Sequence, residues 1–256
     1  MAYLRTGYAI VIYSGVCCHC RARIVHFCNT YPCYAMSICL FEDFSISTLL
    51  PLTHVNPDFD LRSGIFTLRE RIGRCFPDDA LQLYTRLGLV EVMRERSGLP
   101  VNEELDADLF ISGSTILLPE LVEAIRDNRG ENAVFAHEGV FLAACVRDTA
   151  VREKLYHWLK TSLLREELVH GPNHDIDLMS FGVPIVEVET RAFRFPWDLL
   201  SNNTALLEAD AAFYRLGTVE SEASIASSAE LVHSERMYVA AEVCIGAGAI
   251  LDATDG

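Results

Sequence analysis

From Met36 onward, short apolar runs alternate with segments of helical spacing, and this alternation limits the chain to a layered α/β fold. Ser37–Phe41 is an apolar run that ends at Glu42-Asp43, which predicts a buried strand with a polar exit. Leu49–Asp60 contains Pro51 and Pro57 and reads as a loop. Thr67 followed three residues later by Glu70 is a capping box and predicts a helix start. Asp79–Leu87 reads as another helix. Asp108–Ser112 reads as a strand, and Pro119 opens a helix over Glu120–Asp127. Ala133–Ala136 and Phe141–Val146 flank His137-Glu138-Gly139, which predicts a hairpin. Val151, Leu155, Trp158 and Leu159 share one helical face and predict a long helix over Thr149–Glu167. Ile185–Val188 reads as a strand and Trp197–Tyr214 as a helix. Together these elements predict a mixed, mostly parallel sheet covered on both faces, with ligands bound beyond the carboxyl ends of its strands.

Half of the 256 residues are hydrophobic, enough for one large domain or one domain and a fragment, and too many for a disordered chain. The net charge of −15 argues against nucleic acid as a partner. No run of 18 apolar residues is present, so a membrane partner is not expected. The charge is uneven: residues 1–35 hold Arg5, Arg21 and Arg23 and no acid. Six of the nine cysteines (Cys17, Cys18, Cys20, Cys28, Cys33 and Cys39) fall in the first 39 residues. With His19 and His26 they supply zinc-ligand chemistry, although only Cys17–Cys20 has paired spacing. Arg5 before the apolar stretch Tyr8–Val16 has the outline of a signal peptide without a cleavage site. The favoured reading is an extension outside the fold, with the natural start at Met36. Cys75, Cys145 and Cys244 read as buried small hydrophobes in a reducing, cytoplasmic compartment.

Gly217–Glu235 is rich in Ser, Glu and Ala and reads as a linker. After it Val239, Ile245 and Leu251 recur every six residues, with Gly246-Ala247-Gly248-Ala249 between, the pattern of a hexapeptide β-helix. The expected divisions are an extension over 1–35, an α/β domain over 36–216, a linker over 217–236 and a first β-helix coil over 237–256. Because a solenoid needs several repeats to bury its core, the expectation is that the chain is truncated and the rest of the solenoid is missing.

Common catalytic patterns are absent: no G-x-G-x-x-G opening a helix, no P-loop, no G-x-S-x-G and no H-E-x-x-H. His170, His174, Asp175 and Asp177 surround Gly171-Pro172 and read as a solvated loop rather than a metal site. His54 and His137 read as lone structural histidines.

Two stretches carry a family resemblance. Leu49-Leu50-Pro51-Leu52-Thr53, with Arg62-Ser63-Gly64-Ile65-Phe66-Thr67-Leu68-Arg69-Glu70, resembles a segment that reads L-L-P-L-T-x-x-x-P-x-x-x-x-R-x-G-I-x-T-[IL]-R-E. It occurs in bacterial proteins related to the bifunctional UDP-N-acetylglucosamine pyrophosphorylase/glucosamine-1-phosphate acetyltransferase. Pro196-Trp197-Asp198-Leu199 followed by Asn203 is similar to a second signature of that branch. The resemblance spans about residues 36–256. It implies a nucleotidyltransferase-like (Rossmann-like) domain followed by a left-handed parallel β-helix. The implied reaction joins a nucleoside triphosphate to a sugar 1-phosphate, forming UDP-N-acetylglucosamine, with Mg²⁺ as cofactor. It also implies a homotrimer at full length, and acetyl-coenzyme A as a partner only of the missing C-terminal part.

The site residues follow from the matched positions. Arg62 and Arg69 are the catalytic candidates, with Arg71 beside them; the competing reading makes the helix arginines a solvated face. Thr53, Gly64, Gly113, Ser114 and Trp197 are the substrate-binding candidates, Gly64 serving either a phosphate or a turn. Asp43, Asp198 and Asn203 are the metal candidates, Asn203 being alternatively a helix cap. Two departures stand out. Glu42–Thr48 lacks the glycine-rich, lysine-bearing loop, and Ser114 replaces the aspartate that ordinarily holds magnesium. A transferase, a binding module that has lost catalysis, and a zinc-binding N-terminal module therefore remain as three functional readings.

Overall fold

Residues 35–103, 106–163 and 178–254 are described by a computed structural model. β1 (Ser37–Phe41) is an interior strand of a six-stranded sheet, next to its edge. Its alternate side chains point to opposite faces, Ile38 and Leu40 into one core layer and Cys39 and Phe41 into the other. The remaining strands are β2 (Ala80–Tyr84), β3 (Leu109–Ser112), β4 (Ala133–His137), β5 (Val140–Cys145) and β6 (Ile185–Glu187). Their order is β2-β1-β3-β5-β4-β6. β1 is parallel to β2 and β3, β5 is antiparallel to β3 and β4, and β6 is parallel to β4. The sheet is therefore mixed.

Helices cover both faces. α1 (Leu68–Cys75), α2 (Val90–Ser97) and α3 (Pro119–Asp127) press Leu68, Ile72, Met93, Leu121 and Ile125 onto the Ile38–Leu40 face. α4 (Thr149–Leu163) presses Val151, Leu155 and Leu159 onto the Cys39–Phe41 face. Each such aliphatic side chain contributes roughly 1.5–3 kcal/mol when fully buried. The capping box forms as the sequence predicts: the Glu70 N–H donates to Thr67 Oγ1 at 3.2 Å, and the Thr67 N–H to Glu70 Oε2 at 2.8 Å. The β4–β5 hairpin turns on Glu138 and Gly139, both at positive φ, the geometry of a tight two-residue turn.

Three expectations need correction. Residues 80–84 form strand β2, not part of a helix over Asp79–Leu87. Pairing along the whole of β1 places Leu83 and Tyr84 in opposite core layers and buries Gln82 against the Tyr156 hydroxyl at 3.1 Å. The helix expected over Trp197–Tyr214 is two, α5 (Pro196–Ser201) and α6 (Asn203–Ala211), broken where the Asn202 N–H and side chain both donate to Asp198 O. Residues 217–235 are not a featureless linker. β7 (Thr218–Val219), β8 (Ser224–Ile225) and β9 (Glu230–Val232) pair in parallel with β10 (Tyr238–Val239), β11 (Cys244–Ile245) and β12 (Ile250–Asp252). Val219, Ile225 and Leu231 carry the same six-residue period as Val239, Ile245 and Leu251. Cys145 is buried as expected, Cys75 only partly so, and Cys244 is exposed. The cysteine-rich segment at residues 1–34, the His170–Asp177 group and the end of the helix expected to reach Glu167 lie outside the described residues.

Candidate active site

β1 connects to β2 on one side and pairs with β3 on the other, so the strand order reverses between β1 and β3. In open α/β sheets that reversal leaves a crevice beyond the carboxyl ends of the two strands. Glu42-Asp43 leaves β1 there, and Gly113-Ser114 leaves β3. Asp43 accepts hydrogen bonds from the Ser112 and Ser114 hydroxyls. Asp58, on a short 3₁₀ turn over Asp58–Asp60, comes up beneath. Its Oδ2 accepts the Asp43 N–H at 3.2 Å and its Oδ1 accepts the Phe59 N–H at 2.8 Å. The Asp58 carboxyl lies so close to the Gly113 Cα that a Cβ at that position would overlap Oδ1. Gly113 is thus a glycine of close approach, its own N–H donating to Phe41 O at 2.7 Å.

Electrostatics follow from this crowding. Burial pushes the Asp58 carboxyl well above the ordinary aspartate value, and the charges of Asp43 and Glu42 push it further. Burial also raises Glu42, opposed by the Arg86 guanidinium and the Thr85 hydroxyl. Glu42 Oε1 accepts from Arg86 Nη1 at 2.5 Å, and Oε2 accepts the Arg86 N–H at 2.8 Å and the Thr85 hydroxyl. Thr53 is buried and donates its hydroxyl to Ile46 O at 2.6 Å, so it holds the 46–53 loop.

The arginines lie in a second lattice. Arg71 is buried and grips Asp210 through two hydrogen bonds of 2.7 Å. Asp210 Oδ2 also accepts the Ile65 and Phe66 N–H groups at 2.8 and 3.2 Å. This overturns the reading of Arg71 as a solvated helix residue: a fully buried carboxylate on α6 faces it. Arg69 pairs with Asp60 at 2.7 Å, and Arg62 with Glu70 at 3.3 Å. Gly64, at φ +78°, donates its N–H to Asn203 Oδ1 at 2.7 Å, and a Cβ there would stand 2.6 Å from Asp210 Oδ2. Gly64 therefore makes a turn that α6 packs against.

The remaining candidates are spread out. Asp198 Oδ2 accepts the N–H groups of Arg194 and Phe195 at 2.8 Å each, at the start of α5. Trp197 stacks on Phe195 with ring centroids 4.7 Å apart and is 61% exposed. Asp43 binds the Ser112 hydroxyl, Asp198 the Arg194 N–H and Asn203 the Gly64 N–H, so these hydrogen bonds tie the three to different parts of the chain. Among the described residues, no group of three or more His, Cys, Asp or Glu side chains is placed to hold a metal ion. His137 is structural, its Nδ1 2.7 Å from Val188 O. A pocket of about 230 Å³ opens between α1, α3 and α6, lined by Arg74, Cys75, Val122, Arg126 and Phe213 among others, and no crevice residue lines it.

Sequence reasoning missed Asp58, Arg86 and Asp210. Arg86 had a signal: reading residues 80–84 as a strand places it at the carboxyl edge beside Glu42. Asp58 and Asp210 had none, because their partners lie 15 and 139 residues away.

A mixed α/β sheet with oxygen donors gathered at its strand-order reversal is the layout of the α/β proteins that bind ligands beyond the carboxyl ends of their strands. Residues 38–218 match the sugar nucleotidyl transferase family, and the chain belongs to that family. Among solved structures it is similar to a putative glucose-1-phosphate thymidylyltransferase from Bacillus anthracis, determined in complex with a sucrose. The two are 14% identical over 68% of this chain and 96% of that one, with a TM-score of 0.40, too distant a likeness to bear on substrate. No curated protein matches the chain. Among the described residues no helix is long and apolar enough to cross a membrane.

Proposed function

We propose that the chain joins a nucleoside triphosphate to a sugar 1-phosphate and releases pyrophosphate, at the crevice between β1 and β3. The observation that carries this is the Asp43–Asp58 carboxylate pair at the strand-order reversal, in a chain of the sugar nucleotidyl transferase family. The sugar phosphate attacks the α-phosphorus in line, so the protein's work is positioning and charge neutralisation. Two carboxylates beside two hydroxyls form an all-oxygen donor set that suits Mg²⁺, which keeps much of its water shell and takes one or two carboxylates. Asp43 and Asp58 are the residues that would hold it; Asp198 and Asn203 already bind backbone N–H groups. When bound, the ion supplies positive charge to the phosphates. Ser112 and Ser114 orient Asp43. Arg62, with its side chain 58% exposed, is held by a solvent-facing ion pair to Glu70 and a surface hydrogen bond to Ile65 O, and is the arginine we assign to swing to a phosphate. Arg69 is held more firmly by Asp60. The exposed Phe195–Trp197 stack offers a ring face to a base or sugar.

UTP and N-acetylglucosamine 1-phosphate are the proposed substrates, on the resemblance carried by residues 49–70. The three parallel strand pairs over 218–252 support a hexapeptide parallel β-helix following the domain. In the bifunctional relatives an acetyl-coenzyme A-dependent, trimeric solenoid follows at that point, and we extend the inference to a longer form of this protein. Free cysteines at positions 39, 75, 145 and 244 support a reducing, cytoplasmic setting.

The test is pyrophosphate release from UTP and N-acetylglucosamine 1-phosphate with Mg²⁺, beside Asp43→Asn and Arg62→Ala. Mg²⁺-dependent release that Asp43→Asn abolishes supports the transferase. A second reading has its own support: Arg62, Arg69 and Arg71 each face an acid of the chain, and Ser114 stands where a carboxylate is usual. Folded protein that binds UTP and releases nothing would make the chain a nucleotide-sugar binding module.

A further inference from the structure

We infer that Arg86 is the positioning residue of the Asp43–Asp58 pair, an inference that rests on the nucleotidyltransferase reading of the same crevice. Arg86 stands two residues beyond the end of β2. Its N–H and Nη1 both bind the Glu42 carboxylate, whose side chain has no exposed surface. Its Nη2 donates to Thr53 O, and to His54 O at 3.3 Å. One guanidinium thus ties the end of β1, the end of β2 and the loop leading to Asp58.

The two tied points sit next to the two acids. Glu42 immediately precedes Asp43, and the 53–56 loop leads through Pro57 into Asp58. The Asp43 N–H donates to Asp58 Oδ2 at 3.2 Å, so the pair depends on both backbones keeping their places. Arg86 also supplies the countercharge that opposes the burial of Glu42. Without it, a buried carboxylate would lose the guanidinium that holds it in place beside the pair. A lysine keeps the charge but not the fork, since one ammonium cannot present coplanar N–H groups to a carboxylate and to carbonyls on its other side. Arg86 acts on the pair through the groups it binds, Glu42 and the carbonyls of the 53–54 loop.

The experiment compares the full chain with Arg86→Met and Arg86→Lys. Turnover of UTP and N-acetylglucosamine 1-phosphate is followed with Mg²⁺, and hydrogen exchange is followed over residues 42–58 without ligands. Loss of a group that orients ligands acts at about the 10- to 100-fold level. The expected result is a kcat lower by about that factor in Arg86→Met, with KM for the sugar phosphate little changed, and a smaller loss in Arg86→Lys. Exchange in 42–58 should rise in both variants while β4 and β5 stay protected. Added guanidinium chloride at millimolar concentration should restore part of the Arg86→Met turnover. A folded Arg86→Met with unchanged kcat and unchanged exchange overturns the inference. If Arg86→Met does not fold, Arg86→Lys decides it on the same two readouts. A wild-type chain that binds UTP without turnover sinks the transferase reading, and exchange in 42–58 then decides Arg86 alone.

Discussion

The crevice and the arginine lattice handle charge in opposite ways. In the lattice every charge is answered: Arg71 by Asp210, Arg69 by Asp60, Arg62 by Glu70. In the crevice, Asp43 and Asp58 stand side by side, with hydroxyls and backbone N–H groups as their described hydrogen-bond partners. Matched charges fix a shape; two carboxyls crowded together in a buried place cost stability, the more so as they ionise. The lattice is the frame that ties the 62–67 loop to α6, and the crevice is the place to which the proposed chemistry is assigned.

The largest effect should come from breaking the frame. Asp210→Ala leaves Arg71 buried and unpaired and strips the Ile65 and Phe66 N–H groups of their acceptor. A loss of about 3–5 kcal/mol is expected from urea unfolding, as for other buried pairs cut on one side. The double variant Arg71→Met with Asp210→Leu should recover the part that comes from the unpaired charge, and not the part from the stranded N–H groups. If the double variant is as unstable as the single, the lattice is held by more than matched charge. Gly113→Ala comes next, because a methyl has no room against the Asp58 carboxyl. A cost of about 3 kcal/mol is expected, with loss of turnover even in the fraction that folds. Full activity in that variant would show that the carboxyl at Asp58 has room to move.

A pH series sharpens the contrast. Asp58 is held above its ordinary value by burial, then by Asp43 and Glu42, so the folded chain keeps a proton the unfolded chain releases. Its contribution is fully present below the unfolded value of about 3.9 and is lost as pH rises through the raised native value. Stability measured by urea unfolding should therefore decline over that window. Asp58→Asn should flatten the decline without removing it, because burial raises Glu42 as well. Mg²⁺ at neutral pH should raise the melting temperature of the wild-type chain and not of Asp43→Asn. An identical pH slope in Asp58→Asn would mean that the acid pair carries no strain.

How much of this was legible in the sequence depends on how local each cause is. β1, the capping box at Thr67–Glu70, the Pro119 helix start and the Glu138-Gly139 turn are written within a few neighbouring residues, and the structure has them all. β2 was not legible, since Ala80-Leu81-Gln82-Leu83-Tyr84 is short and becomes a strand through its pairing with β1. The strands of 218–232 were hidden because Ser, Glu and Ala fill the places between Val219, Ile225 and Leu231. Of the site, Asp43, Gly113 and Ser114 were visible as exits of strands. The burial of Arg71 was not, since it is set by Asp210, far along the chain. Asp58 is likewise made by the turn that folds it under Gly113.

Arg62→Ala should have the smallest effect on stability and still separate the two regions. The Arg62–Glu70 pair and the Arg62 hydrogen bond to Ile65 O are both solvent-facing, so their loss should change unfolding free energy by about 1 kcal/mol. If Arg62 leaves that pair to bind a phosphate, the same variant should raise KM for the triphosphate about tenfold or more, the worth of one charge-assisted hydrogen bond. A variant with wild-type KM would return Arg62 to the frame with Arg69 and Arg71, and the phosphates would then need a cation from outside the chain. A variant as unstable as Asp210→Ala would mean that the lattice is one cooperative unit reaching to the surface. Only a kinetic change without a stability change places Arg62 on the crevice side of the division.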